Sequence, residues 1–264
     1  MLNFKTASVI ICLALFSGCA KHEAPEIIAG TPAIYSAIKD TAPWAKAAML
    51  VEPGRCPGHY DMRPSDAAAV KSAKYMVVHA FQKETAEKLK KINPDIKLTV
   101  LPFGAVPLPE DYIMALKAAE LVLKRFYPVR EREITKNRQA AEEMIKTETG
   151  KDAALIEKIR AKKIRAVSST FHKKMSGYFG MEVLEYFGDP ESLTAAKISA
   201  IKGMKPDVII SNYPGTHDAA ARAIAAATGA EVIVVSNFPE NGPDKNMFIN
   251  QWNKNVKEFK KLAD

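Results

Sequence analysis

The chain has 264 residues, of which 47% are hydrophobic and 26% are charged, and its formal net charge is +8 at pH 7. This length and balance are ordinary for a globular protein and leave room for one large domain or two smaller lobes. Lysine and arginine are spread through helical patterns without the interleaved aromatic residues that stack on bases. The charge therefore indicates solvated helix faces and does not favour a nucleic-acid partner.

The first residues have the pattern of an export signal. Lys5 is the only charge before an apolar run over 7–16, which is too short to span a membrane and is followed by two small residues and Cys19. This arrangement resembles the lipobox of bacterial lipoproteins, which implies cleavage of residues 1–18 and acylation of the Cys19 sulfur. Residues 19–25 would then tether a periplasmic protein to a membrane; the alternative is a secreted protein cleaved nearby.

The signal changes the number of available thiols. Cys12 would leave with the signal peptide and Cys19 would carry lipid, so Cys56 would be the only thiol of the mature domain. An internal disulfide is then impossible, although the compartment is oxidising. Because an unpaired cysteine outside the cytoplasm is a liability unless it is buried or ligated, Cys56 favours a metal site.

Residues 26–109 alternate between strand and helix patterns. Strands are predicted at 26–29, 44–51, 75–78 and 96–101, and helices at 31–39, 65–72 and 81–92, with Ser65 as the cap of the second helix. This alternation is typical of parallel crossover units.

The middle third reads as helix only and the last third returns to alternation. Helices are predicted at 110–126, 131–146 and 152–162, then strands at 164–168, 183–187, 207–211 and 231–236 with helices at 191–204, 218–228 and 246–262. The helical third would bridge two lobes, because the two alternating parts echo one another. The predicted fold class is α/β, with two lobes of mainly parallel sheet flanked by helices.

Cys56 and His59 form a candidate chelate. They are three residues apart with Pro57 and Gly58 forcing a turn between them. A thiolate and an imidazole folded together in this way suit a soft or borderline metal ion. The simpler interpretation is a buried cysteine beside a surface histidine.

Four histidines follow predicted strands: His59, His79, His172 and His217. In an open parallel sheet the ligand site lies beyond the carboxyl ends of the strands, so this placement makes metal binding the leading hypothesis. Two alternatives remain at this point. His79 could be a core histidine bonded to backbone, and His217 a surface histidine at the start of a helix.

Several segments together carry a family resemblance. They are Pro53-Gly54, His59-Tyr60-Asp61, Pro64-Ser65-Asp66, the run from His172 to Tyr178-Phe179-Gly180, the alanine-rich helix and strand of 220–234, and the closing helix of 248–255. Over nearly the whole mature chain they resemble the periplasmic metal-binding proteins of ABC transporters for zinc and manganese, the ZnuA/TroA-like cluster A-I group. The resemblance implies two lobes, 26–109 and 129–264, joined by one long backbone helix within 110–128, with the metal site in the cleft.

The chain departs from that family at two ligand positions. The segment 102–109 offers no histidine where the family has its second ligand, and 235–238 offers no carboxylate where the family has its last. His59 and His172 carry over from the resemblance, and Cys56 and His79 are available as replacements. The expected ligand set is therefore Cys56, His59, His79 and His172, with His217 in reserve.

Four ligands of cysteine and histidine type favour tetrahedral zinc, while a thiolate argues against manganese and magnesium; copper(I) and ferrous iron stay open. The expected function is capture of that metal by a monomeric lipoprotein and delivery to an ABC permease. We see no nucleophile with its base and no glycine-rich phosphate loop, so we do not expect an enzyme. The alternatives are an extracytoplasmic metalloenzyme and a binder of a chelated metal or haem.

Overall fold

Two separate four-stranded parallel sheets organise the computed structural model, which describes residues 24–55, 60–102, 104–105, 107–213, 217–240, 242 and 246–263. The first sheet has the strand order β2-β1-β3-β4 and the second β6-β5-β7-β8. The strands are β1 (Ile27–Ala29), β2 (Ala47–Met49), β3 (Tyr75–His79), β4 (Lys97–Leu101), β5 (Arg165–Ser169), β6 (Glu182–Phe187), β7 (Val208–Asn212) and β8 (Glu231–Val235).

Helices cover both sheets. Among the described residues they are α1 (Pro32–Thr41), α2 (Pro64–Ser72), α3 (Lys83–Lys90), α4 (Pro109–Phe126), α5 (Glu131–Gly150), α6 (Ala153–Ala161), α7 (Lys173–Tyr178), α8 (Ala195–Met204), α9 (His217–Thr228) and α10 (Met247–Lys260). Short 3₁₀ turns precede α3, α5 and α7, and a fourth lies shortly before α8. None of the helices in the described part of the chain is both long and apolar enough to cross a membrane.

The two sheets share one topology. In each, the chain runs from its first strand outward to the second and then returns to the third on the other side of the first. The direction of winding therefore reverses between β1 and β3, and again between β5 and β7. Ligands of open parallel sheets bind at such switch points, beyond the carboxyl ends of the strands.

The hydrophobic core joins the two lobes. Separate clusters cover one face of each sheet, whereas a third and larger cluster extends from Ile27 of β1 through Leu116 of α4 to Trp252 and Phe259 of α10. Protein interiors of this kind are close-packed and transmit displacement rather than absorb it. The lobes are therefore held at one relative position by shared packing along α4.

The structure confirms the predicted fold class of two α/β lobes with parallel sheets. The middle third is also confirmed, because the described residues between β4 and β5 form helices and 3₁₀ turns without a strand. Helix α4 begins one residue earlier than predicted, because Pro109 suits the first helical position.

Four local predictions were wrong. Strand β2 spans only 47–49, and Ser65 lies inside α2, whose cap residue is Arg63. The helices predicted from 81 and 191 both begin as 3₁₀ turns, and the second is interrupted before α8. The interruption has a local cause, since the Thr194 hydroxyl accepts the Lys197 N–H at 3.2 Å and caps a new helix there.

Candidate metal centre

His79 occupies the switch point of the first sheet. It is the last residue of β3, fully buried, and its Nε2 lies 3.0 Å from the hydroxyl oxygen of Thr31, which follows β1 and caps α1. Its backbone N–H donates to Gln82 Oε1 at 3.3 Å, and its ring stacks on Phe81 with centroids 5.3 Å apart. The Thr31 hydroxyl and the Gln82 backbone N–H, which the His79 side chain accepts, therefore hold the imidazole at the edge where the ligand site was expected.

His172 occupies the switch point of the second sheet. It lies in the turn between β5 and α7 and is fully buried, and neither ring nitrogen has a hydrogen-bond partner among the described residues. Burial lowers the pKa of His172 to about 4, and nearby His217 acts in the same direction. The Asn212 side chain and the Val235 backbone lie beside the ring and oppose the shift without forming a well-aligned hydrogen bond.

A neutral imidazole in this state fits a metal ligand. Leaving a buried polar group without a partner costs about 1–3 kcal/mol, so such groups in folded proteins call for an explanation. Metal ions bind the unprotonated nitrogen of neutral histidine. His172 meets both conditions, because it is unprotonated at neutral pH and its ring nitrogens are unpartnered within the described part of the chain.

His217 lies close to His172 but its nitrogens are engaged. It begins α9, with Nδ1 at 2.7 Å from Ser169 Oγ and Nε2 at 3.5 Å from the Asp189 carboxylate, and Phe171 stacks on its ring at 4.4 Å. Ser169 Oγ also accepts the Phe171 N–H, so we assign its proton to a bond with Nδ1, which leaves the imidazole proton on Nε2. Burial lowers the pKa of His217, and Asp189 opposes the shift.

The residues on either side of the segment that contains Cys56 and His59 contact each other. Those two residues lie outside the described residues, but Glu52 before them and Arg63 after them form an ion pair at 2.5 Å. Asp66 anchors this pair in α2, since its carboxylate accepts from Arg63 Nη2 at 2.9 Å, the Arg63 backbone N–H at 3.0 Å and the Tyr60 hydroxyl at 2.8 Å.

This network also fixes the charge of Asp66. Burial alone would raise the pKa of Asp66, but the hydrogen bonds from Arg63 and Tyr60 outweigh it and hold that pKa below its ordinary value. The carboxylate is ionised at neutral pH and binds the guanidinium through two nitrogens. Arg63 therefore connects Glu52, before the candidate ligand segment, with Asp66 after it.

Loops beyond the carboxyl edges of the two sheets lie against each other. Pro107, in the loop after β4, lines a cavity of about 10 Å³ together with Ser236, Asn237 and Phe238 from the loop after β8. His79 and His172 each lie at such an edge, one in each lobe. The described residues contain no group of three or more His, Cys, Asp or Glu side chains that could hold a metal ion.

The proposed ligand set is thus only partly placed. His79 and His172 lie buried at the two switch points, and His217 lies beside His172, while Cys56, His59 and the lipidation candidate Cys19 fall outside the described residues. Sequence reasoning overlooked Asn212 and Ser169, the final residues of β7 and β5. The strand-end rule would have found both, had it been applied to amide and hydroxyl side chains as well as to histidine.

Three solved structures of similar fold are described as metal-binding proteins or metal complexes. The Mn²⁺ complex of the substrate-binding protein FpvC from Pseudomonas aeruginosa is 15% identical with a TM-score of 0.76, covering 91% of this chain and 99% of that one. The periplasmic zinc-binding protein TroA from Treponema pallidum is 15% identical with a TM-score of 0.72, covering 90% and 99%. The Cd-bound periplasmic metal-binding protein from Candidatus Liberibacter asiaticus is 16% identical with a TM-score of 0.71, again covering 90% and 99%.

No protein-family model and no curated protein matches the chain. At this level of identity the structural likeness establishes the fold. The chain has the two-lobed fold of periplasmic metal-binding solute-binding proteins, which confirms at that level the resemblance drawn from the sequence motifs.

Proposed function

We propose that this chain captures a divalent transition-metal ion, zinc in preference to others, in the cleft between its lobes and delivers it to an ABC permease. The observation that carries the proposal is His172, a neutral and fully buried imidazole at a switch point, whose ring nitrogens have no partner among the described residues. Its location at the carboxyl edge of a parallel sheet is where this kind of fold binds ligands.

The proposed ligands come from both lobes. His172 belongs to the second lobe, and His79 belongs to the first, where its Nε2 lies 3.0 Å from the Thr31 hydroxyl oxygen. Cys56 and His59 would complete the set from the loop whose flanks Arg63 connects. A site shared between lobes would let the bound ion hold them together, and a permease would recognise that closed form.

Zinc is favoured because the proposed ligands are a thiolate and three imidazoles. Zinc binds such ligands tetrahedrally, whereas manganese and magnesium prefer oxygen. Copper(I) and ferrous iron accept the same ligands and are the competing ions in the test. Since the thiol must lose its proton on binding, the metal affinity is expected to fall in acid.

Delivery fits the proposed location of the protein. Acylation of Cys19 would anchor a monomeric protein at the membrane that holds its permease, and the segment 19–25 would serve as a tether. Two of the solved structures of similar fold are described as periplasmic metal- or zinc-binding proteins, which supports an extracytoplasmic location.

The first prediction concerns metal content and affinity. Protein purified without added metal is expected to contain close to one equivalent of zinc by elemental analysis. After chelation, competition titration should show that His172→Ala, and the double variant Cys56→Ala with His59→Ala, bind zinc at least about 10- to 100-fold more weakly. Mutation of residues that only hydrogen-bond to metal ligands lowers metal affinity by this range, so loss of a ligand itself should lower it at least as much.

His22→Ala, a matched histidine change in the proposed tether, is the control and should bind as the unaltered protein does. Equal zinc affinity in the double variant and the unaltered protein would show that the proposed site is wrong. Turnover of a small substrate by the zinc-loaded protein would favour the metalloenzyme hypothesis instead.

A further inference from the structure

Two consecutive residues at the start of α4 contact the second lobe. Asp111 is buried, and its Oδ1 accepts a hydrogen bond from Lys174 Nζ at 2.5 Å. Lys174 belongs to α7, two residues beyond His172. This ion pair therefore connects the long helix of the middle third directly to the turn that carries the candidate ligand.

Tyr112 makes the second connection. Its ring stacks on Phe248 of α10 with centroids 4.2 Å apart and an angle of 6°, and its hydroxyl donates to Asp40 Oδ2 at 2.6 Å in α1. Asp40 Oδ1 in turn accepts the backbone N–H of Asn246 at 3.3 Å. The ring contacts are neutral and well buried, so they hold α1, α4 and α10 together whether or not the ion pair forms.

Asp111 and Lys174 differ in their exposure to solvent, and therefore in the free-energy cost of breaking the ion pair. The Asp111 side chain is 4% exposed, and its Oδ2 has no hydrogen-bond partner among the described residues, whereas Lys174 is 60% exposed. The ammonium group can return to water at little cost, but the carboxylate cannot. The buried charge therefore favours the closed arrangement and holds α7 against α4.

We propose that Asp111 and Lys174 form an interlobe latch that sets the position of His172 relative to the metal ligands of the first lobe. The proposal rests on the proposed function, in which His172 binds the metal. Lys174 is a positioning residue and not a ligand. It lies two residues after His172, which directly precedes α7, so a displacement of α7 moves the imidazole, and a loss of pre-organised geometry lowers affinity.

Lys174→Met tests the latch, because it keeps an unbranched side chain only one atom shorter and removes the charge. The zinc affinity is expected to fall about tenfold, the lower end of what outer partners of metal ligands contribute. Lys173→Met is the matched control on the same helix. Its ammonium lies 4.9 Å from the Tyr186 ring within the second lobe, so its removal should leave the affinity unchanged. Lys174→Arg keeps the charge and should retain the affinity.

A second measurement does not depend on metal. In the chelated protein, amide hydrogen exchange over residues 170–178 should be faster in Lys174→Met than in the unaltered protein and unchanged in Lys173→Met. If Lys174→Met fails to fold because it leaves Asp111 uncompensated, the double variant with Asp111→Asn removes both charges. That variant should fold, exchange faster over 170–178 and bind zinc about tenfold more weakly.

The outcomes separate the two proposals. Suppose that the unaltered protein binds zinc and that Lys174→Met binds it equally well. The latch is then wrong while the function stands. If Lys174→Met does not fold, the double variant takes its place in this comparison. If the unaltered protein binds no metal, the function is wrong, and the exchange rates of the chelated protein still decide whether Lys174 holds α7 in place. Faster exchange in Lys173→Met as well would also overturn the latch.

Discussion

Burial of the His172 ring nitrogens costs free energy as long as they have no bonding partner. In the metal-free protein the imidazole stays neutral because burial penalises its charged form. A bound metal ion would satisfy a nitrogen that otherwise lacks a partner within the described part of the chain. The same residue therefore links two measurable quantities, metal affinity and the pH dependence of stability.

The stability of the chelated protein should fall in mild acid because of His172. Its pKa is about 4 when folded and 6.5 ordinarily, so between these values the unfolded chain takes up a proton that the folded protein does not. The free energy of unfolding is thus highest above pH 6.5 and decreases as the pH falls toward 4, by about 3 kcal/mol over the whole range. Urea unfolding at pH 7 and pH 5 measures this change.

His172→Gln removes the titrating group and should lose less stability between pH 7 and pH 5 than the unaltered protein, by about 2 kcal/mol. His217, whose pKa is also lowered by burial, is present in both proteins, so most of its contribution cancels in the comparison. His22→Gln should show the full loss of the unaltered protein. The same pH dependence in His172→Gln would contradict the assignment of a neutral buried imidazole.

Asp66 supports the candidate ligand loop and should be sensitive to loss of its charge. In Asp66→Asn the bonds from the Arg63 guanidinium lose their ionic character and a new N–H₂ group faces donors, so we expect destabilisation of about 2–3 kcal/mol. Denaturant unfolding measures it. Asp61→Asn, a change at an exposed carboxylate in the same segment, should stay within about 0.5 kcal/mol; a comparable loss there would show that the Asp66 network contributes little.

At the scale of elements, the order of strands and helices was predictable because apolar periodicity reports burial directly. Strands buried on both faces, such as β3 and β7, read as continuous apolar runs ending in a polar residue. The shortness of β2 was not predictable. It is an edge strand bonded to β1 alone, and the buried residues that extend its apolar run, such as Leu50, pack outside the strand itself.

Helix starts were also beyond the sequence pattern, because they depend on hydrogen bonds that several residues can make. Serine is a favoured residue type for a helix cap, which led to Ser65. In the structure the Asp66 carboxylate instead accepts the Arg63 N–H, and α2 begins at Pro64. For the site, the histidine positions at strand ends followed from the pattern. The orientation of His217 toward Ser169 and Asp189 did not, since it depends on long-range contacts between β5, α9 and the loop after β6.

At the scale of the whole molecule, one core joins both lobes. Tyr112 of α4 stacks on Phe248 of α10 and bonds to Asp40 of α1, so packing and hydrogen bonds cross between the lobes at the same place. If one lobe unfolded alone, buried side chains of the other lobe would lose their packing partners. Two lobes that share buried side chains should therefore behave as one cooperative unit, and not as two independent domains.

The two tryptophans make this cooperativity measurable, because each reports on a different lobe. Trp44 lies against Tyr127 and Arg130 beside the first sheet, and Trp252 is buried in α10 with its indole N–H donating to Asp152 at 2.7 Å. In Trp44→Phe the tryptophan fluorescence comes only from the second lobe, and in Trp252→Phe only from the first. In each chelated variant the fluorescence transition in urea should coincide with the loss of helical circular dichroism.

The midpoints of the two variants will differ, because the phenylalanine in Trp252→Phe cannot donate to Asp152, so the comparison is made within each protein. A fluorescence midpoint in Trp252→Phe that precedes or follows its own circular dichroism transition would show that the first lobe unfolds separately. Phe248→Ala supplies the positive control, since it removes the ring that Tyr112 packs against and weakens the joint itself. If the shared core makes the lobes one unit, transitions that coincide in the parent protein should separate only in that variant, because there the lobes lose the stacked contact between Tyr112 and Phe248.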